Sequence, residues 1–265
     1  MSGTQPARNA ILTLAATIGV AVGGWVVVQS LRDPLEDFAA TLSRICLTAR
    51  RATAQDGQLS SDLVFIDAVV EGCRKEARAG RGDRAKAFNA VAEQYTQTGN
   101  ALRAYVAALD AFQAAGGADF EILLGKAGAA ADLAPVLDRV RTLARCNQAL
   151  AKAEKDGPDG LRRRLTDAGL SAERVESVVD AFRTITRNPL CDGIRECDAT
   201  YLTALGECLE LLSARWGRWR RDAASGQIEF DDAADNKKWA TFIGEMVSAS
   251  ERQAGLQQQF YGTIN

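Results

Sequence analysis

The six cysteines, Cys46, Cys73, Cys146, Cys191, Cys197 and Cys208, are the residues of this chain whose type and spacing most invite a chemical reading. A thiol can staple, ligate a metal or attack an electrophile, and spacing separates these roles. No two stand as C-x-x-C, so neither a dithiol redox pair nor the close ligand pair of a zinc site is spelled out. Their even number suits a disulfide framework in an oxidising compartment. If the segments flanking AQDGQLSS fold back on each other, Cys46 falls opposite Cys73, within disulfide reach. Cys197 and Cys208 are eleven residues apart on one predicted helix, roughly 16 Å by helical rise, which is too far to bridge. Full oxidation then leaves Cys146–Cys197 with Cys191–Cys208, or Cys146–Cys208 with Cys191–Cys197. Either would fasten NPLCDGIREC, read as a loop, to the helices. Buried free thiols are the alternative, and thiol-dependent catalysis or metal binding has the least support.

The chain contains no histidine. That removes the commonest general base near neutral pH, every Ser-His or Cys-His nucleophile, and imidazole metal ligation. No phosphate-binding glycine loop is present, and the carboxylates fall mainly on predicted solvent faces. A non-enzymatic protein with no cofactor and no metal is expected. Two clusters carry other chemistry. RWGRWRR could lay Trp216 and Trp219 at lipid headgroups with Arg215, Arg218, Arg220 and Arg221 on an anionic surface. The same tryptophans also extend an apolar stripe that begins at Cys197, which makes a structural role the better reading. RLTDAGLSAERVESVV has the outline of a helix-turn-helix, but Glu173, Glu176 and Asp180 would face phosphate, so a plain helical hairpin with no nucleic-acid partner is expected.

These groups must be positioned by something. Ala10–Val28 runs nineteen residues without a charge, close to the roughly 20 helical residues a bilayer core requires. The expected organisation begins with a short tail over residues 1–9 and a single transmembrane anchor over 10–29. A cleaved signal peptide would have a shorter apolar region. Ala15, Gly19 and Gly23 recur every fourth residue and would let a second membrane helix approach, so self-association through this stripe is a further expectation. Basic residues on the two flanks barely decide orientation; the cysteines favour an extracytoplasmic, periplasmic bulk, with a cytoplasmic bulk as the alternative.

Beyond the anchor, apolar residues recur in steps of three and four. Leu35, Phe38, Leu42 and Ile45 begin one helix, and Leu63, Ile66, Val70 and Cys73 line the next. A third, over 83–115, would be about 50 Å long, with Thr98-Gly99 marking either a bend or a close crossing. GKAGAAAD is the expected boundary between a first helical subdomain, 31–124, and a second, 133–265. No convincing period-two strand is visible. The fold class is all-α: an anchor followed by an elongated bundle of long antiparallel helices with coiled-coil-like packing. The expected function is protein–protein interaction with another envelope protein, as adaptor, assembly factor, accessory subunit or inhibitor. A sensor or small-ligand-binding bundle is the alternative, with Thr98, Asn147 and Gln253 as polar lining.

Overall fold

Apolar residues spaced three and four apart place one sticky stripe along each helix, and neighbours bury those stripes against one another. The computed structural model describes residues 35, 37–53, 60–120, 124, 127–186, 189–222 and 226–262. Within them the chain forms α1 (Phe38–Thr53), α2 (Ser60–Ala79), α3 (Gly82–Ala114), a 3-10 turn (Ala130–Leu133), α4 (Ala134–Lys155), α5 (Gly157–Asp167), α6 (Ala172–Thr186), α7 (Pro189–Ala214), β1 (Trp219–Arg221), β2 (Ile228–Phe230) and α8 (Ala233–Gly262). The fold is mostly helical, in keeping with the periodicity. The tail 1–9, the expected membrane helix 10–29 and its stripe Ala15, Gly19 and Gly23 lie outside the described residues. Among the described residues no helix is long and apolar enough to cross a membrane.

Two compact units emerge. Unit A holds the described chain up to Arg103 together with Ala149–Cys191; unit B holds Ala104–Gln148 and the chain from Asp192 onward. Both are discontinuous in sequence and do not coincide with 31–124 and 133–265, because α3, α4 and α7 each contribute residues to both units. Within the GKAGAAAD stretch, residues 128–132 lead into a helix start. Asp132 accepts from the backbone N–H groups of Gly128 and Ala129, at 2.8 and 2.9 Å, just before α4.

In unit A, α1 and α2 run antiparallel. A Cβ on Gly72 would stand 2.6 Å from Ile45, and Arg44 faces Glu76 at 3.9 Å. α2 and α3 are antiparallel as well, pinned by Arg84–Glu76 at 3.0 Å near one end and Arg103–Asp67 near the other. Thr98-Gly99 lies within the unbroken helix α3, and a Cβ at Gly99 would come within 2.9 Å of Ile66. The pair therefore marks a close crossing. Thr98 is buried and its hydroxyl donates to the Gln94 carbonyl at 3.3 Å. α5 and α6 form a further hairpin, turned at Gly169 (φ +77°) and clamped by Arg162–Glu176 at 2.8 Å. Leu42, Ile66, Val69, Phe88, Leu161 and Val178 are among the side chains sealed inside; each such residue contributes about 1.5–3 kcal/mol of burial.

In unit B, α7 and α8 are antiparallel along their length. Arg215 meets Asp235 at one end, Gln253 meets Asp198 further along, and Gly193 lies against Leu256 at the other end. α4 joins them through Arg141–Glu210 at 2.8 Å and Val140 beside Gly206. Between α7 and α8 the chain makes a small antiparallel sheet, Trp219 opposite Phe230 and Arg220 opposite Glu229. These two strands correct the expectation that the helix of Cys197 continues through Trp219: α7 ends at Ala214, and Gly217 (φ +77°) turns the chain into β1.

The glycines separate two effects. Gly99→Val should cost about 1–3 kcal/mol by overpacking against Ile66. Gly255→Ala, where a Cβ meets open space in mid-helix, should gain up to about 1 kcal/mol. Thermal unfolding followed by circular dichroism checks both signs.

Candidate functional site

Functional side chains converge most densely along the α7–α8 seam of unit B. Arg195 and Asp198 lie one turn apart on α7, 4% and 0% exposed by side chain, with 3.5 Å between guanidinium and carboxylate. Two charges this deep need several partners. The Asp198 carboxylate accepts from the Gln253 amide at 2.7 Å, the Arg195 guanidinium lies 5.6 Å from the Tyr105 ring centre, and the Asn147 amide donates to the Arg195 carbonyl at 3.2 Å. The layer draws on α3, α4, α7 and α8. A slip of one residue in any of these helices would leave a buried charge or amide unmet, so the cluster fixes helix register. The hydroxyl of Tyr201 and Oδ1 of Asn147 are buried without a hydrogen-bond partner among the described residues, and burial raises the Tyr201 pKa.

Beside this layer a groove of about 350 Å³ opens between α7 and α8. Cys197 and Thr200 line it from α7, and Thr241, Glu245, Ser248 and Arg252 from α8. Thr241, Glu245, Ser248 and Arg252 follow one another by four, three and four, hence one face of α8, and Gly244 widens the groove by having no side chain. Arg252 bridges to Glu196 at 3.3 Å. Burial raises the Cys197 pKa, against a pull from Arg252 in the other direction. With no imidazole in the chain to take its proton, this thiol is a weak nucleophile. The groove presents one carboxylate, one guanidinium and several hydroxyls, a set suited to holding a small polar molecule.

The other cysteines are distributed as follows. All six are free cysteines in the structure, which gives the disulfide framework no support. The segment NPLCDGIREC is helical from Pro189, so Cys191, Cys197 and Cys208 share α7. Six residues of helix put Cys191 about 9 Å from Cys197, and seventeen put it about 26 Å from Cys208, both beyond the ~7 Å a disulfide spans. Each of the two pairings considered needed one of these bonds. In unit A the hairpin register sets Cys46 level with Cys73, both fully buried, and the Cys46 sulfur lies 3.8 Å from the Tyr95 hydroxyl. Burial pushes the Cys46 thiol up to about 11, with Tyr95 and Arg50 pulling it back. Burial likewise raises Cys73, reinforced by Cys46 and Glu76, and pushes Cys208 up to about 12. Among the described residues no group of three or more His, Cys, Asp or Glu could hold a metal ion.

RWGRWRR builds the turn and first strand of the small sheet. Trp216 and Trp219 stack edge to face at 5.4 Å and pack, half-buried, on a cluster of Leu133, Leu212, Ile228 and Phe230. The Trp219 indole donates to the Leu212 carbonyl at 3.1 Å. Arg215 binds the buried Asp235 at 2.5 Å and holds its carboxyl below the usual carboxylate range, while Arg220 binds Glu229 at 2.8 Å. Arg218 and Arg221 are exposed. Of the polar lining expected for a ligand cavity, Asn147 and Gln253 belong to the buried layer and Thr98 to the core of unit A; none lines the groove. The groove residues carried no sequence motif. Their one signal was the same-face spacing of Thr241, Glu245, Ser248 and Arg252.

No protein-family model, curated protein or solved structure matches this chain.

A thiol titration in denaturant without reductant should count all six cysteines. In the native protein the half-exposed Cys146 should react first, with Cys46 and Cys73 silent at mildly alkaline pH. Unfolded thiols ionise near 9.0, whereas folded Cys46 keeps its proton to about 11. Between those values the folded chain binds more protons than the unfolded one, so stability should fall as pH rises. Denaturant midpoints measured across that window check the sign.

Proposed function

We propose that the chain is a membrane-tethered helical protein that acts by docking another protein, with Ala10–Val28 as its anchor. The observation that supports this best is the outward face of α8. A solvent-facing helix stripe ordinarily carries charge at most positions. Here Ala240, Gly244, Val247, Ala254 and Gly255 are exposed along it, with Glu251 as the charged member. Val247 is 52% exposed, and Gly244 and Gly255 have open space where a Cβ would stand. Small, uncharged residues along about 23 Å of helix favour close approach of a second helix through ridges and grooves. The occupant proposed is therefore an apolar helix of another protein, consistent with an adaptor, assembly factor, accessory subunit or inhibitor. An extracytoplasmic bulk rested on sulfur bridges and loses that support with the cysteines as thiols, so tether and docking face are what is carried forward.

A photo-crosslinking residue in place of Val247, in the full chain in its native membranes, should give one dominant protein adduct. Gly244→Arg in the same chain should reduce that adduct at least tenfold without changing the circular dichroism. Adducts insensitive to Gly244→Arg, or none at all, would overturn the reading; an adduct of twice the chain's mass would identify the partner as a second copy.

The groove supports a second reading, a small-ligand sensor. Its Glu245 and Arg252, two helical turns apart, suit a zwitterion with its ammonium toward Glu245 and its carboxylate toward Arg252. A panel of free amino acids should then contain one that raises the melting temperature of the native chain and not of Arg252→Ala. A flat response across the panel would dismiss this reading.

A further inference from the structure

Residues 74–86, RKEARAGRGDRAK, carry six basic and two acidic side chains. They form the end of α2, the turn at Gly80-Arg81 and the start of α3. Helix dipoles account for half of this cluster. Arg74, Lys75 and Arg78 sit in the last turns of α2, where cations are favoured, but Arg84 and Lys86 sit in the first turns of α3, where they are not. Some of the charges are internally matched: Arg84 with Glu76, Lys86 with Asp83 at 3.6 Å, and Arg78 with Glu71 at 2.5 Å. Arg74, Lys75 and Arg81 are exposed outside these pairs. Of the neighbouring elements, α1 adds Arg44, 71% exposed, and the turn before it the exposed Asp37, while α6 adds Arg174, which binds Asp83. The balance of the corner stays positive.

Its place in the fold gives this charge a direction. The antiparallel return of α2 brings the corner back beside the start of α1. Arg84 donates to the Thr41 hydroxyl at 3.4 Å, and the rings of Phe38 and Phe88 lie 4.8 Å apart. Leu35 is already buried, and its carbonyl accepts from the Phe38 N–H at 2.9 Å. Six residues separate Leu35 from Val28, the end of the apolar run, and the seven steps between the two reach at most about 25 Å fully extended. With 10–29 as the anchor, that reach holds the α2–α3 corner next to the lipid headgroup layer.

We propose that the α2–α3 corner is a second membrane contact, which docks Arg74, Lys75 and Arg81 on the headgroups of anionic phospholipids. The inference rests on the anchor reading of residues 10–29 and adds a lipid class and an orientation to it. Guanidinium and ammonium groups suit phosphate, and juxtamembrane cations gain roughly fivefold each in affinity for an anionic surface, an effect that salt weakens.

The test uses the full chain in phosphatidylcholine vesicles with or without phosphatidylglycerol, with a photo-crosslinking residue replacing the exposed Ala79. Lipid adducts should form when phosphatidylglycerol is present. They should fall at least fivefold in the triple variant Arg74→Gln/Lys75→Gln/Arg81→Gln, which breaks no ion pair among the described residues, and fall again at high salt. Equal adducts in neutral vesicles, or no loss in the triple variant, would overturn the proposal. Alkaline carbonate extraction reports the anchor separately. A chain that resists extraction yet gives no phosphatidylglycerol-dependent adduct retains the anchor and refutes the corner. A chain that is extracted yet binds these vesicles through the three cations refutes the anchor and keeps the corner.

Discussion

Antiparallel helix register is the constraint on which the rest of this structure depends. An apolar stripe buries its side chains only if the neighbouring stripe lies alongside, and several contacts here tolerate no slip. Gly72 against Ile45 and Gly99 against Ile66 leave no room for another carbon atom. In unit B the register is held by polarity. Arg195 and Asp198 are so deeply placed that their neighbours Gln253, Asn147 and Tyr105 must arrive at particular positions along α8, α4 and α3. Removing one member would strand a charge at a cost of several kcal/mol, whereas an apolar core of the same volume would lose little from a shift. The layer contributes specificity more than net stability.

The same register decides which chemistry is available. Burying the cysteines along the stripes turns them into small apolar residues with raised pKa values, as at Cys46 and Cys208. The α7–α8 alignment gathers Cys197, Thr200, Glu245 and Arg252 around one groove, though α7 and α8 meet across a hairpin and loop of eighteen residues. It also leaves α8 with a stripe of small, uncharged residues turned to solvent beside that groove. In unit A the return of α2 places a basic corner beside the first turn of α1. Each surface discussed above is thus a by-product of how two stripes align.

Arg215–Asp235 and Arg220–Glu229 show how a cluster that looks available in sequence becomes occupied in the fold. The segment RWGRWRR offers four guanidinium groups and two indoles. Folding commits Arg215 to a buried carboxylate, Arg220 to its cross-strand partner, and both indoles to a small core. In sequence the basic residues around Gly80-Arg81 have the pattern of an ordinary solvated cap, since charges near helix ends are common. Only their position next to Thr41 and Leu35 sets them apart.

The sequence by itself determined the helical character of the chain, because a three-and-four apolar period can bury its side chains in no other regular way. It also determined the approximate span of the long third helix. The nineteen-residue apolar run and the lack of histidine are likewise properties of composition. Tertiary structure decided that α7 begins at Pro189 and not after a cysteine loop, that Trp219 enters a strand, and that Cys191, Cys197 and Cys208 share one helix. It alone brought Asp198 to Gln253 and Arg84 to Thr41. The physical reason is range. A helix is chosen by contacts within one turn, which a short window of sequence contains, whereas a pairing across forty residues or more depends on how whole stripes align, and no local pattern records that.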